Sequence, residues 1–110
     1  MPIRPVEFEI LLTLANEERH GYGILQEAAR MSDGASQIEA GTLYRALHRM
    51  LRAGWVAESD RRVPPRSERV DERRRYYRLT SLGRRIAAAE AERLARLVGA
   101  ARASRLLTRA

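Results

Sequence analysis

Residues 41–53 predict a helix with an apolar face and a cationic face, and this segment limits the possible folds most. Four apolar side chains recur at intervals of three and four residues, which places them on one helical face: Leu43, Leu47, Met50 and Leu51. Gly54 stands where the helix would end, because glycine readily adopts the left-handed conformation that terminates helices. One face of this helix therefore belongs to a core, and the other lies outside it.

Two shorter helical patterns precede this segment. Residues 6–16 predict a first helix, and Pro5 suits its first turn because the missing N–H of proline costs nothing there. Its expected core side chains are Phe8, Leu11, Leu12 and Ala15. Residues 21–32 predict a second helix, which ends at the turn residues 32–34. Its expected core side chains are Ile24, Leu25, Ala28 and Met31.

The chain then changes character. Residues 55–59 and 75–80 are rich in strand-forming side chains and flank a polar loop over residues 60–73. A last helix is expected over residues 81–107, with Thr80 as its N-cap. This order predicts a mainly α fold, a winged helix-turn-helix with a three-helix core and a two-stranded β wing, plus a long C-terminal dimerisation helix.

Composition excludes several classes of protein. The 110 residues carry a net charge of +7, and all 21 basic residues other than histidine are arginine. The absence of cysteine excludes disulfides and thiolate metal sites, and no apolar run is long enough for a membrane helix. With no signal peptide recognised at the start, we expect a cytoplasmic protein. Without a nucleophile motif or a cluster of metal ligands, we expect no enzyme, metal or cofactor.

The cationic face of the third helix suggests nucleic acid as the partner. Arginine forms forked hydrogen bonds with phosphates and guanine edges, and a helix of this length fits the major groove. Its predicted contacts are Arg45, His48 and Arg49, with Arg52 on the same face and with Thr42 and Tyr44 beside them. From the wing we add Arg74 and Arg75, where the loop becomes strand. The alternative for each basic segment is a charged surface that is only solvated. For the loop residues 61–73 this alternative stays open.

The last helix predicts contact with a second copy of the chain. It carries a long, alanine-rich apolar stripe after an already complete domain, and two-fold dimers are the commonest assemblies. The predicted dimer interface consists of Ile86, Leu94, Leu97, Val98 and Ala101. The alternative is a helix that folds back on its own core. We therefore divide the chain into a DNA-binding part, residues 1–80, and a dimerisation helix, residues 81–110.

Three segments together resemble the PadR family of transcriptional regulators, with a match spanning about residues 8–100. They are His20-Gly21-Tyr22-Gly23, Gly41 to Leu51, and Arg73 to Gly83. The lone final helix resembles the short-tailed members of the family. The resemblance implies a homodimeric repressor that binds double-stranded DNA at an inverted-repeat operator. It also implies that Tyr22, Thr42 and Tyr44 contact the DNA. Many members have proline where this chain has Arg45 and an acid where it has Arg52, so no operator sequence can be carried over.

The resemblance also implies release by a small hydrophobic or aromatic effector in some members. Residues 81–110 contain no Phe, Trp or Tyr that could stack on such a ligand. The main alternative function is a winged helix that holds another protein without specific DNA binding, since fold does not fix function. Binding of double-stranded RNA is a weaker option, because the A-form major groove is too narrow for a helix.

Overall fold

The computed structural model describes residues 3–59 and 75–107, and predictions on the loop 60–73 and on Arg74 lie outside them. Within these ranges the chain forms four helices, α1 Pro5–Thr13, α2 Gly21–Met31, α3 Ala40–Ala53 and α4 Ser81–Ala103. Three short strands complete the fold, β1 Arg19–His20, β2 Val56–Glu58 and β3 Tyr76–Leu79. The predicted winged-helix fold class is confirmed.

The first three helices enclose a single apolar core. Leu43, Leu47 and Met50 of α3 are at most 1% exposed, as the spacing in the sequence predicts. From the other elements, buried side chains close around them: Ile10, Leu11, Leu14, Ile24, Trp55, Val56 and Tyr77. The buried face of α3 leaves its opposite face in solvent.

Helix α1 corrects both the predicted bounds and the predicted phase. It ends at Thr13 instead of residue 16, and its buried apolar side chains are Ile10 and Leu11. Leu12 is 42% exposed, and Phe8 is only half-buried outside the core. Because residues 10–12 are all apolar, periodicity could not determine which face of this helix points inward.

The sheet contains one strand more than predicted. Strand β3 lies between β1 and β2, and both pairs are antiparallel. Arg19 pairs with Tyr77, whereas Val56 pairs with Leu79. The added strand, β1, lies between the predicted first and second helices, and two residues are too few to show an alternating pattern in the sequence. This pairing attaches the base of the wing to the start of α2.

Close backbone contacts at the junction with α4 fix where that helix starts. Thr80 caps α4 as predicted, and its hydroxyl accepts the N–H of Gly83 at 3.0 Å. A Cβ at Gly83 would lie 1.9 Å from the carbonyl oxygen of Trp55, so only glycine fits there. Trp55 directly follows Gly54, which ends α3 with a φ of 82°. The end of α3 and the start of α4 are therefore in direct contact.

Helix α4 is shorter than predicted, and most of it projects from the core. It ends at Ala103 instead of residue 107, through Arg105 with a φ of 61° and a hydrogen bond from Leu106 N–H to Ala101 O. No glycine or proline announces this end, so the sequence signal was missing. Ile86 and Ala87 pack against the core. Beyond them large apolar side chains are exposed, and the described part of the molecule measures 53 by 28 by 23 Å.

Candidate nucleic-acid interface

The outer face of α3 carries basic side chains from its second turn to its end. Arg45, His48 and Arg52 are all exposed, and they lie opposite the buried leucines of the same helix. Arginine at three- to four-residue intervals gives a helix a continuous row of donors. The structure therefore brings together three of the basic side chains that the sequence placed on one face.

Arg45 folds back over the first turn of α3. Its Nη2 lies 3.3 Å from Thr42 Oγ1, and a Cβ at Gly41 would lie 3.3 Å from its Nη1. The N-terminus of a helix already carries a partial positive charge from its unpaired N–H groups. No side chain of the described residues caps this end of α3. A guanidinium beside such an end favours an anion there.

Tyr44 lies on the flank of α3 and supports the start of α2. It is half-buried against the core. A Cβ at Gly21 would come 2.3 Å from the Tyr44 hydroxyl oxygen, so the ring occupies the space that this glycine leaves. The sequence predicted Tyr44 as a DNA contact, and the structure adds a packing role at the junction of α2 and α3. Gly21, in the segment His20-Gly21-Tyr22-Gly23, is the sequence signal for this contact.

Tyr22 lies in an aromatic cluster that joins α2 to the wing. Its ring stacks on His20 with centroids 6.5 Å apart, and His20 meets Tyr76 of β3 edge-on at 5.3 Å. His20 also caps α2, because its Nδ1 accepts the N–H of Gly23 at 2.9 Å. Tyr22 is 64% exposed and therefore available to a partner.

Arg75 stands at the base of the wing and faces an acid. Its Nη1 lies 3.3 Å from Glu58 Oε2 on the neighbouring strand, so part of its charge is neutralised. Nearby, burial raises the pKa of the Tyr77 phenol, and Tyr44 and Glu58 add to this rise. The Tyr77 hydroxyl therefore keeps its proton at neutral pH.

Arg49 has a partner that the sequence gave no reason to expect. Its Nη2 forms an ion pair with Oε2 of Glu7, a residue of α1 that is only 2% exposed. The other oxygen of Glu7 accepts the backbone N–H of Arg4 at 2.9 Å. From the sequence, Glu7 looks like an acid that favours the helix N-terminus, so nothing in its pattern revealed this pairing.

The five predicted interface residues of α4 fall into two groups. Ile86 packs against the core of its own chain, whereas Leu97 and Val98 are 55% and 39% exposed. Leu94 and Ala101 are half-buried on the same face. Leu106 and Leu107 extend the exposed apolar surface past the end of the helix, at 82% and 42%.

The described residues offer little for other kinds of site. No group of three or more His, Asp or Glu side chains among them is arranged to hold a metal ion. None of the helices in the described ranges combines the length and the apolar character needed to cross a membrane.

Solved structures similar to this chain share its fold. A transcriptional regulator from Clostridium thermocellum has 24% identity and a TM-score of 0.70, with 86% of this chain and 84% of that chain covered. A PadR family transcription regulator from Clostridium difficile has 21% identity and a TM-score of 0.68, with coverage of 88% and 94%. Bacillus subtilis PadR, solved in complex with operator DNA, has 17% identity and a TM-score of 0.66.

That alignment covers 80% of this chain but 47% of Bacillus subtilis PadR, so the present chain spans about half of that protein. No curated protein matches the sequence closely enough to serve as a relative. The model of the transcriptional regulator PadR-like family matches residues 10–89, which is most of the chain. Members of this family regulate transcription, in agreement with the expectation that the chain is not an enzyme. The chain thus belongs to the PadR-like family of transcriptional regulators.

Proposed function

We propose that this chain is a homodimeric repressor that binds an inverted-repeat operator, with α3 in the major groove and the wing beside it. One observation carries the proposal. Arg45, His48 and Arg52 form an exposed basic row on α3, directly opposite side chains that are fully buried. A rigid, well-packed helix with such a row suits the B-DNA major groove in width and in charge.

The start of α3 supports a phosphate contact as the anchor of this docking. Arg45 lies over the uncapped first turn, next to Thr42. Backbone N–H groups and a guanidinium there would bind one phosphate and set the register of the helix in the groove. Tyr22, exposed on the aromatic cluster, and Arg75 at the base of the wing flank the same surface in the proposal. The operator DNA bound by Bacillus subtilis PadR is consistent with this mode.

The proposed division of labour follows the exposed surfaces. Residues 1–80 would bind DNA, and residues 81–110 would pair two copies through the apolar face around Leu97 and Val98. A two-fold dimer presents two reading helices to two half-sites about 34 Å apart, which is one turn of DNA. An inverted repeat is the operator symmetry that such a dimer requires.

The deciding experiment is a fluorescence-anisotropy titration against DNA from upstream of the coding sequence and against a scrambled duplex, at several salt concentrations. We expect a preference of roughly a thousandfold for the upstream DNA and a steep dependence on salt. Equal, weak and salt-sensitive binding to both duplexes would contradict the proposal. That result would favour a winged helix that holds another protein.

A matched pair of variants tests whether α3 carries the contact. Arg45→Ala should weaken binding to the upstream DNA by about ten- to a hundredfold, as expected for the loss of a charged contact to DNA. Arg96→Ala removes the same charge from the exposed surface of α4 and should leave binding nearly unchanged. An equal loss in both variants would show that only net charge matters.

The dimer is tested by light scattering. Leu97→Glu places a charge in the exposed apolar face of α4 and should give monomers, because an unpaired charge cannot be buried in an interface. Arg96→Glu places the same side chain on the opposite, exposed face of the helix and should leave the dimer intact. A Leu97→Glu protein that stays dimeric would place the interface elsewhere.

A small hydrophobic or aromatic effector completes the proposal. Because residues 81–110 contain no aromatic side chain, an effector at α4 would be held by aliphatic contacts instead of ring stacking. Titrating simple phenolic compounds into the complex with DNA should release the DNA if this part is correct. Binding that is unaffected at millimolar concentrations of these compounds would remove the effector from the proposal and leave the repressor.

A further inference from the structure

The ion pair between Glu7 and Arg49 joins α1 to the flank of the reading helix. Arg49 follows Arg45 by one helical turn, and its side chain is 42% exposed. The Glu7 side chain is 3% exposed, and both of its oxygens are engaged, one by Arg49 and one by the backbone N–H of Arg4. A buried carboxylate is tolerated when a cation and hydrogen bonds compensate its charge. Arg49 supplies that cation.

This pairing changes what Arg49 can offer to DNA. A guanidinium bound to a carboxylate is close to electrically neutral when seen from a distance, and it is fixed in orientation. Arg45 and Arg52, on the exposed face, have no such acid among the ion pairs of the described residues. The arginines of α3 therefore differ in effective charge.

We infer that Glu7 is a positioning and specificity-determining residue for DNA binding, because it neutralises Arg49 and holds its guanidinium at the edge of α3. The inference rests on the proposed function and adds a residue of α1, outside the surface that would touch DNA. Without Glu7, Arg49 becomes a mobile cation that can bind any phosphate. Affinity for random DNA then rises and the preference for the operator falls.

The readout is the slope of log K against log salt concentration on a random duplex. This slope counts neutralised phosphates, with a change of about 0.9 for each one. Glu7→Gln retains an oxygen that can accept the Arg4 N–H, and it releases the charge of Arg49. We expect the slope to steepen by about one and the affinity for random DNA at low salt to rise several-fold. A purely structural role would lower the melting temperature and leave the slope unchanged.

Two controls isolate the effect. Glu9→Gln removes the same charge from the same helix, but Glu9 accepts the Ser36 hydroxyl and pairs with no arginine of α3 among the described contacts. It should change the slope far less. The double variant Glu7→Gln/Arg49→Gln replaces the ion pair with a neutral pair of similar size and should restore the slope of the original protein.

Each outcome decides the inference. A Glu7→Gln slope equal to that of the original protein overturns it, as does an equal steepening in Glu9→Gln. If Glu7→Gln does not fold, the double variant decides the inference. A slope shallower than that of the original protein by about one would overturn it, because Arg49 would then already contact a phosphate in the original protein. The random duplex makes this test independent of the operator, so a failure to prefer upstream DNA would refute the proposed function and leave the slopes to decide this inference.

Discussion

The three-helix core and the outer half of α4 differ in how far they bury the same kind of apolar side chain. In the core, Leu43 and Leu47 are at most 1% exposed. On α4, Leu97 is 55% exposed although it belongs to an equally regular helix. Burial of a leucine contributes about 1.5–3 kcal/mol, so the core already has this stabilisation and α4 does not.

This difference separates two sources of stability. The core is complete within one chain, whereas a helix with one exposed apolar face gains stability only from packing against another surface. The stability of the α1–α3 region should therefore be independent of protein concentration, and that of α4 should rise with it. Substitutions in the two regions can be compared on this basis.

The largest effect is expected for Leu47→Ala. Removal of a fully buried leucine side chain should lower the free energy of unfolding by about 2–5 kcal/mol, through lost burial and the cavity left behind. Leu97→Ala removes the same atoms from α4, and the resulting loss in free energy of unfolding should be larger at higher protein concentration. Chemical denaturation of each variant at two protein concentrations measures both losses. If Leu47→Ala unfolds at the same denaturant concentration as the original protein, the assigned face of α3 is wrong.

Gly83→Ala tests the junction between the two regions. The added methyl group would collide with the Trp55 carbonyl. The backbone shift that relieves this clash should lower the free energy of unfolding by about 1–3 kcal/mol. Gly99→Ala is the matched control, because a Cβ there meets nothing within 4 Å. This control should stabilise α4 by up to about 1 kcal/mol, since alanine favours helices more than glycine does. Equal melting temperatures for the two variants would contradict the close contact at the junction.

Thr80→Ala should lower the free energy of unfolding by about 1 kcal/mol, because the first turn of α4 loses the hydroxyl that accepts the Gly83 N–H. Thr80→Ser keeps that hydroxyl and should recover most of the loss in a thermal melt. Failure of serine to recover it would assign the effect to packing of the threonine methyl group instead of capping.

The smallest effect on stability is expected for Gly21→Ala, and its main consequence concerns Tyr44. The methyl group meets the far end of the Tyr44 ring, which can rotate away and so lower the free energy of unfolding by only about 0.5 kcal/mol. Displacement of Tyr44 should weaken binding to upstream DNA more than it lowers the melting temperature. Gly23→Ala, where the nearest atoms lie at an ordinary 3.5 Å, should affect neither.

Long, strongly patterned segments could be predicted from the sequence. The apolar spacing of α3, the stop at Gly54 and the cap at Thr80 all match the structure, because each depends on local chemistry. The phase of α1 could not be predicted, since its apolar residues are adjacent and tertiary contacts choose the buried ones. The end of α4 was also missed, because Arg105 takes a conformation that usually requires glycine.

The candidate site divides in the same way. The basic row of Arg45, His48 and Arg52 follows from helical spacing alone. The partner of Arg49 does not, because Glu7 lies 42 positions earlier in the chain and comes into contact only when α1 packs on α3. Strand β1 and the seat of Tyr44 on Gly21 likewise depend on contacts between distant segments. Sequence patterns identify which side chains are charged, and the fold decides which of those charges remain unpaired.

The close approach of Gly83 to the Trp55 carbonyl also has a mechanical consequence. It ties the turn that follows α3 directly to the first turn of α4, with no side chain between the two backbones. Helix α4 has 23 residues, so it is a rod about 35 Å long. A tilt of about 5° at this hinge would move the far end of such a rod by about 3 Å, roughly the rise of one base pair. In a dimer joined along α4, the angle between α3 and α4 at Gly83 would set the distance between the two copies of α3.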